Sequence, residues 1–192
     1  SGWSNGPAQL GYGDGDEQTV VGFGTNSSAK YLTTYFRRAV TIANPTGFSS
    51  LNLRLLRDDG AVVYLNGNEV YRDNLPTGPI NYQTRAVSNV GGVNETNYFA
   101  ATVDPAWLVA GTNVVAVEVH QDLPTSSDLS FDFELTGVLN LLPPVLPQLA
   151  DLTMAELTTL TVTNTASDLD SPANTLTYQL VNAPPGAVID AN

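Results

Sequence analysis

Residues 57–73 (RDDGAVVYLNGNEVYRD) constrain the fold more than any other stretch, because they carry the full pattern of a β-hairpin. Residues 61–65 are rich in β-branched and aromatic side chains, which favour strands. Asn66 and Gly67 are the pair typical of a two-residue hairpin turn, since both residues accept positive φ angles. Residues 69–72 are the predicted return strand. The sequence therefore predicts two antiparallel strands in the middle of the first half of the chain.

Alternating apolar and polar residues predict further strands on both sides of this hairpin. Residues 114–121 (VVAVEVHQ) alternate valines with polar side chains, and residues 129–138 (LSFDFELTGV) alternate apolar side chains with carboxylates. This alternation is typical of antiparallel strands with one buried and one solvent-facing side. The other predicted strands are 19–21, 33–42, 50–57 and 98–103. About eight short strands separated by turns predict an all-β, jelly-roll-like β-sandwich over residues 1–139.

The composition changes after this domain. Residues 140–149 (NLLPPVLPQL) contain three prolines and no glycine, which predicts a semi-rigid extended linker. Residues 150–192 contain predicted strands at 158–163 and 176–180, with an acidic turn at 168–172 between them. A complete Ig-like sandwich needs about seven strands. The sequence therefore predicts a partial Ig-like domain at 150–192.

The net charge of the chain argues against nucleic-acid and membrane partners. Seven Lys and Arg stand against 19 Asp and Glu, for a net charge of −12. Such a surface repels phosphate backbones and anionic lipids, so we expect no nucleic-acid partner. No apolar run approaches the roughly 18 residues that span a bilayer, so we expect no membrane insertion. The absence of cysteine excludes disulfides and thiolate metal sites.

Four motifs occur in an order that is similar to a known family. They are GPAQLGYGDGDE (6–17), TTYFR (33–37), the hairpin at 57–73, and VEVHQ (117–121) with SSDLSFDFEL (126–135). In these motifs the chain resembles the galactose-binding-like β-sandwich, and in particular an accessory module of large secreted bacterial proteins. That module stands beside glycosidase, metallophosphoesterase or lamin-tail-like domains. The resemblance implies an extracellular, non-catalytic module whose partners are a polysaccharide or glycan and the neighbouring domains of the same protein.

The resemblance extends to both ends of the chain. Residues 1–3 look like the end of a longer stretch with which this module usually begins, so an N-terminal strand is expected to be missing. Residues 145–192 resemble the first half of the putative-Ig or cadherin-like repeats of bacterial surface proteins. The expected architecture is thus a galactose-binding-like β-sandwich, a linker, and a partial Ig-like or cadherin-like domain.

Polar side chains gather at one end of the predicted sandwich and form the candidate ligand site. A histidine, an amide and carboxylates there suit hydrogen bonding to sugar hydroxyls, and exposed tyrosines suit stacking on pyranose rings. The predicted ligand-binding residues are Asp58, Asp59, His120, Gln121, Asp128, Tyr12 and Tyr82. Two simpler interpretations remain open. Asp58 and Asp59 favour a tight turn through local bonds to the backbone, and His120 could be a lone surface histidine.

A glycine-rich loop holds the candidate metal ligands. Asp14, Asp16 and Glu17 lie among Gly11, Gly13 and Gly15. Closely spaced carboxylates on a loop that can wrap tightly are the ligands that Ca²⁺ prefers. The alternative is a solvated acidic turn, although adjacent carboxylates repel one another unless a cation neutralises them. We expect Ca²⁺ as the cofactor.

Enzymatic activity is not expected. A glycosidase needs two carboxylates about 5 to 10 Å apart, and Glu118, Asp132 and Glu134 are the candidates on neighbouring predicted strands. A ladder of ion pairs with Arg37 and Arg54 explains these residues more simply. The chain has no G-x-S-x-G motif and a single histidine, which cannot build a multi-histidine zinc site.

Two functions therefore compete. The first is a carbohydrate-binding accessory module of a secreted or surface bacterial protein, stabilised by Ca²⁺. The second is a structural or adhesion spacer of an extracellular surface, matrix or filament protein, which self-associates through exposed sheet edges.

Overall fold

Nine strands form in the first part of the chain in the computed structural model, which describes residues 2–170 and 173–189. The strands are β1 (Leu10–Tyr12), β2 (Thr19–Val20), β3 (Thr33–Ile42), β4 (Phe48–Arg57), β5 (Gly60–Leu65), β6 (Asn68–Asp73), β7 (Phe99–Val103), β8 (Gly111–His120) and β9 (Leu129–Leu139). Three short 3₁₀ helices lie at Pro45–Gly47, Gly92–Asn94 and Pro105–Trp107. Contacts divide the chain into two units, Ser1–Leu139 and Asn140–Asn192.

The nine strands form two sheets, which confirms the predicted all-β sandwich. One sheet has the order β2-β1-β9-β4-β7 and the other has the order β3-β8-β5-β6. Neighbouring strands are antiparallel, except for the short parallel pair of β1 and β2. The sequence interpretation treated β8 and β9 as neighbours, and this is wrong. These strands follow each other in the chain but belong to different sheets.

Alternation along the strands builds the core between the sheets. Leu51, Leu53 and Leu55 of β4 are buried, as are the valines at alternate positions of β8. The rings of Phe36 and Phe131, from opposite sheets, stack with their centroids 4.1 Å apart. Burying these apolar surfaces is the main favourable contribution to folding of the sandwich.

The predicted hairpin is β5 and β6. Asn66 and Gly67 have φ angles of 53° and 82°, as a two-residue turn of this kind requires. The residues before the hairpin differ from the prediction. Asp58 and Asp59 do not close a turn within one sheet; they form a corner that links β4 of one sheet to β5 of the other.

A long connection, residues 74–98, joins β6 to β7 and covers part of the outer face of the four-stranded sheet. It contains no strand and one short 3₁₀ helix, Gly92–Asn94. A Cβ atom on Gly60 would lie 2.6 Å from the Asn74 carbonyl oxygen, so the connection runs directly over β5. The long connection also explains why Val62 is fully buried, although Val62 does not belong to the core between the sheets.

The second unit contains little regular structure. In residues 140–170 and 173–189 the only β-pairing is an isolated bridge between Val145 and Ser167. The strands predicted at 158–163 and 176–180 do not form. Large apolar side chains such as Met154 and Leu160 stay exposed there, so no sheet face buries them. No helix in these two described ranges or in residues 2–139 is long and apolar enough to cross a membrane.

Candidate functional site

The acidic loop (residues 11–17) brings together the three predicted metal ligands. One carboxylate oxygen from each of Asp14, Asp16 and Glu17 lies within 4.8 Å of the others. Glu17 accepts hydrogen bonds from the backbone N–H groups of Asp14 and Gly15, both at 3.0 Å. The pKa of Glu17 is lowered mainly by a hydrogen bond from its own backbone N–H, and the N–H groups of Asp14 and Gly15 add to this effect.

Asp14 connects the acidic loop to β9. Its Oδ2 accepts a hydrogen bond from Ser130 Oγ at 3.0 Å. Burial is the largest cause that raises its pKa, and repulsion from Asp128, Asp16 and Glu17 adds to the effect. A cation among these oxygens would relieve that repulsion, so the all-oxygen set of donors fits a hard ion such as Ca²⁺.

The predicted ligand residues at the end of the sandwich lie together, but four of them are inaccessible. Asp58, Asp59, His120 and Gln121 are at most 1% exposed. The expectation that these side chains contact a sugar from solvent is therefore corrected. They hold together the corner, the long connection and the ends of the strands.

Asp59 is the central residue of this buried network. Its Oδ1 accepts a hydrogen bond from the backbone N–H of Val90 at 2.6 Å. Its Oδ2 accepts one from the backbone N–H of Asp122 at 2.8 Å. Gln121 Nε2 donates to the carbonyl oxygen of Asp128 at 2.6 Å. The network thus joins the β4–β5 corner to the long connection and to the loop after β8.

Asp58 is buried beside Asp59 and forms no salt bridge within the described residues. Burial is the largest cause that raises its pKa to about 9, followed by the hydrogen bond and negative charge of Asp59. Its Oδ1 has no hydrogen-bond partner among the described residues. A neutral, protonated carboxyl costs less to bury than a carboxylate, so burial favours the protonated form of Asp58.

His120 fixes the long connection to the outer face of the four-stranded sheet. Its Nδ1 lies 2.7 Å from the carbonyl oxygen of Thr84, and its Nε2 lies 3.2 Å from Glu118 Oε2. Thr33 Oγ1 donates to the carbonyl oxygen of Tyr82 at 3.0 Å. Backbone atoms of the connection are therefore bonded directly to β3 and β8, and His120 is not a lone surface histidine.

The two predicted stacking tyrosines differ in accessibility. Tyr12 is 5% exposed and packs against the ring of Phe23, which corrects the expectation that it is exposed. Tyr82, on the long connection, is 65% exposed. Asp128 is half-buried, and its Oδ1 accepts a hydrogen bond from Ser127 Oγ at 3.1 Å.

The expected ion-pair ladder is present in part. Arg54 pairs with Glu134, its partner in the β4–β9 register, at 2.8 Å. Tyr98 Oη donates to Asp132 Oδ2 at 2.5 Å. Glu118 lies in the other sheet, beside His120. Arg37 stacks over the Trp3 ring instead of joining the ladder.

Sequence reasoning missed a groove on the outer face of the four-stranded sheet. The groove has a volume of about 620 Å³, and its lining residues are Tyr64, Glu69, Arg72, Thr77, Gly78, Pro79 and Ile80. Tyr64 is not one of the predicted ligand-binding residues. The alternation of β5, with Ala61, Val63 and Leu65 turned inward, is the signal that could have placed it on the outer face.

Comparisons with known proteins give only distant likenesses. The sequence matches no protein-family model and no curated protein. Among solved structures, the chain is similar to the α-L-rhamnosidase of Streptomyces avermitilis complexed with L-rhamnose (TM-score 0.40, 18% identity, covering 62% of this chain and 10% of that one). It is also similar to the α-L-rhamnosidase of Aspergillus terreus, with a TM-score of 0.40 and 15% identity over 60% of this chain and 13% of that one. A third similar structure is the β-D-mannosidase of Dictyoglomus thermophilum, with a TM-score of 0.33 and 14% identity over 63% of this chain and 18% of that one.

These glycoside hydrolases are much longer than the matched region. The chain spans between 10% and 18% of their lengths. Likenesses at these TM-scores assign neither a fold family nor an activity to this chain.

Proposed function

We propose that the first unit is a non-catalytic carbohydrate-binding module of a secreted or surface multidomain protein. The observation that carries this proposal is the presence of exposed tyrosines on the outer side of the four-stranded sheet. Tyr35 on β3 is 46% exposed. Tyr82 is 65% exposed, and it lies on the long connection, which hydrogen bonds from Thr33 and His120 hold against the sheet. Polar-tipped aromatic rings on a rigid framework can stack on sugar rings at little entropic cost.

The charged residues of the other sheet support a role without catalysis. Glu134 is paired with Arg54, and Asp132 accepts the hydroxyl of Tyr98. Glycoside hydrolysis requires two carboxyl groups that face each other, one as a general acid and one as a nucleophile or base. Glu134 and Asp132 are instead engaged by Arg54 and Tyr98. The buried His120 and Gln121 likewise serve the framework, so sugar contact belongs to exposed residues.

Calcium is part of the proposal. Asp14, Asp16 and Glu17 would hold the ion, and the ion would supply charge neutralisation to a loop that has three carboxylates within 4.8 Å. The acidic loop begins within β1, and Asp14 accepts a hydrogen bond from Ser130 of β9. A bound ion would therefore fix the edge of the five-stranded sheet.

Binding to an array of immobilised glycans tests the function. We expect retention on a subset of glycans and no release of nitrophenol from nitrophenyl glycosides. An unrelated acidic protein of similar net charge is the control for non-specific retention. An array with no retained glycan contradicts the proposal, and so does nitrophenol release that persists through purification.

One observation favours assembly between chains as a second function. Within the described residues, β1 pairs with only Leu129–Phe131 of β9, so no strand pairs with the rest of that edge of β9. Beside it an apolar cavity of about 570 Å³ opens between the sheets, with Phe36, Ile42 and Phe133 in its lining. A free edge beside an apolar cavity can accept a strand from a second copy. A dimer in light scattering at micromolar concentration is the expected result of this second function, and a strict monomer contradicts it.

A further inference from the structure

We infer that the sugar-binding site is the groove between the β5–β6 hairpin and residues 77–80, and that it takes an uncharged oligosaccharide. This inference rests on the proposed function and adds its location and ligand class. The groove is separate from the end of the sandwich, where the sequence predicted the ligand. It is open to solvent, whereas Asp59, His120 and Gln121 at that end are buried.

Tyr64 and the carboxylates near it form a surface that suits contact with a sugar ring. Tyr64 lies on β5, and Glu118 on the neighbouring β8 is close to it, because Val62 and Tyr64 pair with Glu118 and Ala116. Tyr35 pairs with Glu118 from the other side. Burial first, and then the charges of Glu118 and Glu69, raise the pKa of Tyr64, which agrees with this proximity. An aromatic ring is thus flanked by carboxylates that can accept bonds from hydroxyl groups.

The wall of the groove is held in place by one arginine. Arg72 pairs with Glu69 through two hydrogen bonds, at 2.8 Å and 2.6 Å. It also donates to the carbonyl oxygens of Pro76 and Gly78. The start of the long connection is therefore fixed before any ligand arrives, which reduces the entropic cost of binding.

The charge and size of the groove define the ligand class. Glu69 already neutralises Arg72, and Glu118 adds a further negative charge close to Tyr64. A uronic acid or sulfated sugar would meet net negative charge without a free cation to pair with, so an uncharged sugar is favoured. A volume of about 620 Å³ lies within the usual range of ligand pockets, roughly 300 to 1,000 Å³. It has room for more than one pyranose ring.

Affinity electrophoresis in gels that contain a soluble polysaccharide tests this site. The neutral probes are galactan, galactomannan, xyloglucan and β-glucan, and polygalacturonate is the anionic probe. We expect at least one neutral probe to retard the wild-type chain and polygalacturonate to leave it unretarded. Tyr64→Ala should weaken retardation about tenfold or more, as for a central aromatic contact. Tyr64→Phe keeps the ring and should stay within about twofold.

Two further variants keep the test decisive. Tyr98→Ala removes a partly exposed tyrosine that directly precedes β7 of the other sheet, and it should not change retardation. Thr77→Arg fills the groove from an exposed position, so it should abolish retardation even if Tyr64→Ala fails to fold.

The outcomes separate the site from the function. If a neutral probe retards the wild type, Thr77→Arg and a folded Tyr64→Ala equally, the groove is wrong and the carbohydrate-binding function stands. If polygalacturonate alone retards the wild type, the ligand class is wrong. If no polysaccharide retards the wild type and the glycan array is also empty, the function itself fails.

Discussion

The carboxylate of Asp59 accepts a hydrogen bond from the backbone N–H of Asp122, 63 residues farther along the chain, at 2.8 Å. Its other oxygen accepts the N–H of Val90 at 2.6 Å. One buried side chain therefore ties the β4–β5 corner to the long connection and to the loop after β8. The connection in turn forms the wall of the groove, so the buried network positions the proposed binding surface.

Replacing Asp59 should destabilise the fold strongly. Asp59→Ala leaves two N–H groups without their buried acceptor, each at a cost of about 1–3 kcal/mol. We expect the free energy of unfolding in urea to fall by about 2–6 kcal/mol. Asp104→Ala is the control, because Asp104 is an exposed aspartate that accepts one N–H bond, from Ala106. Equal losses in the two variants would contradict the role assigned to Asp59.

Asp58 makes stability depend on pH. Its folded-state pKa of about 9 lies above the ordinary value of 3.8, so folding favours the protonated carboxyl. This contribution is complete below about pH 4 and is lost as the pH rises through about 9. Asp58→Asn keeps a neutral side chain at every pH. We expect the difference in unfolding free energy between Asp58→Asn and the wild type to grow in favour of the variant from about pH 5 to about pH 9; a constant difference contradicts the assignment.

A side chain at Gly67 should destabilise the hairpin turn. Its φ of 82° is unfavourable for other residues, so Gly67→Ala should cost about 1 kcal/mol of unfolding free energy. The matched control is Gly22→Ala, because Gly22 has no positive φ and open space around its Cβ position. That control should be neutral or slightly stabilising. The turn assignment fails if the two variants unfold at the same denaturant concentration.

Calcium should raise the melting temperature through the acidic loop. At a concentration 100 times its Kd, a bound ion adds about 2.7 kcal/mol to the free energy of unfolding. We expect a higher melting temperature in Ca²⁺ than in EDTA, and no such difference for Asp16→Asn. Asp151→Asn removes a charge from the exposed second unit and should keep the wild-type response. A melting temperature that ignores Ca²⁺ in the wild type excludes the site.

The strands were predictable because alternation is a local property. Residues 33–42 form β3 over the predicted range, and the Asn66-Gly67 turn has the predicted geometry. What covers each face was not predictable. His120 lies on the polar face of β8, yet the long connection buries it through Thr84. Alternation shows which way a side chain points, whereas its accessibility depends on residues far away in sequence.

Pairing between strands was equally hidden. The sequence makes β8 and β9 successive strands, but the chain crosses between the sheets there, which separates Glu118 from Asp132 and Glu134. The groove was missed for a related reason. Tyr64 and Arg72 come close only because β5 and β6 pair and residues 76–78 accept bonds from Arg72.

A titration followed by backbone amide NMR tests the central claim most directly. The ¹⁵N-labelled chain is titrated with an oligosaccharide prepared from the neutral polysaccharide that retards it most. Saturating shifts in the amides of Tyr64, Glu69 and residues 77–80, with unchanged amides at Phe133 to Leu139, are the predicted result. Shifts confined to the acidic loop or to the edge of β9, or no shifts at any concentration, would contradict a sugar-binding groove on the four-stranded sheet.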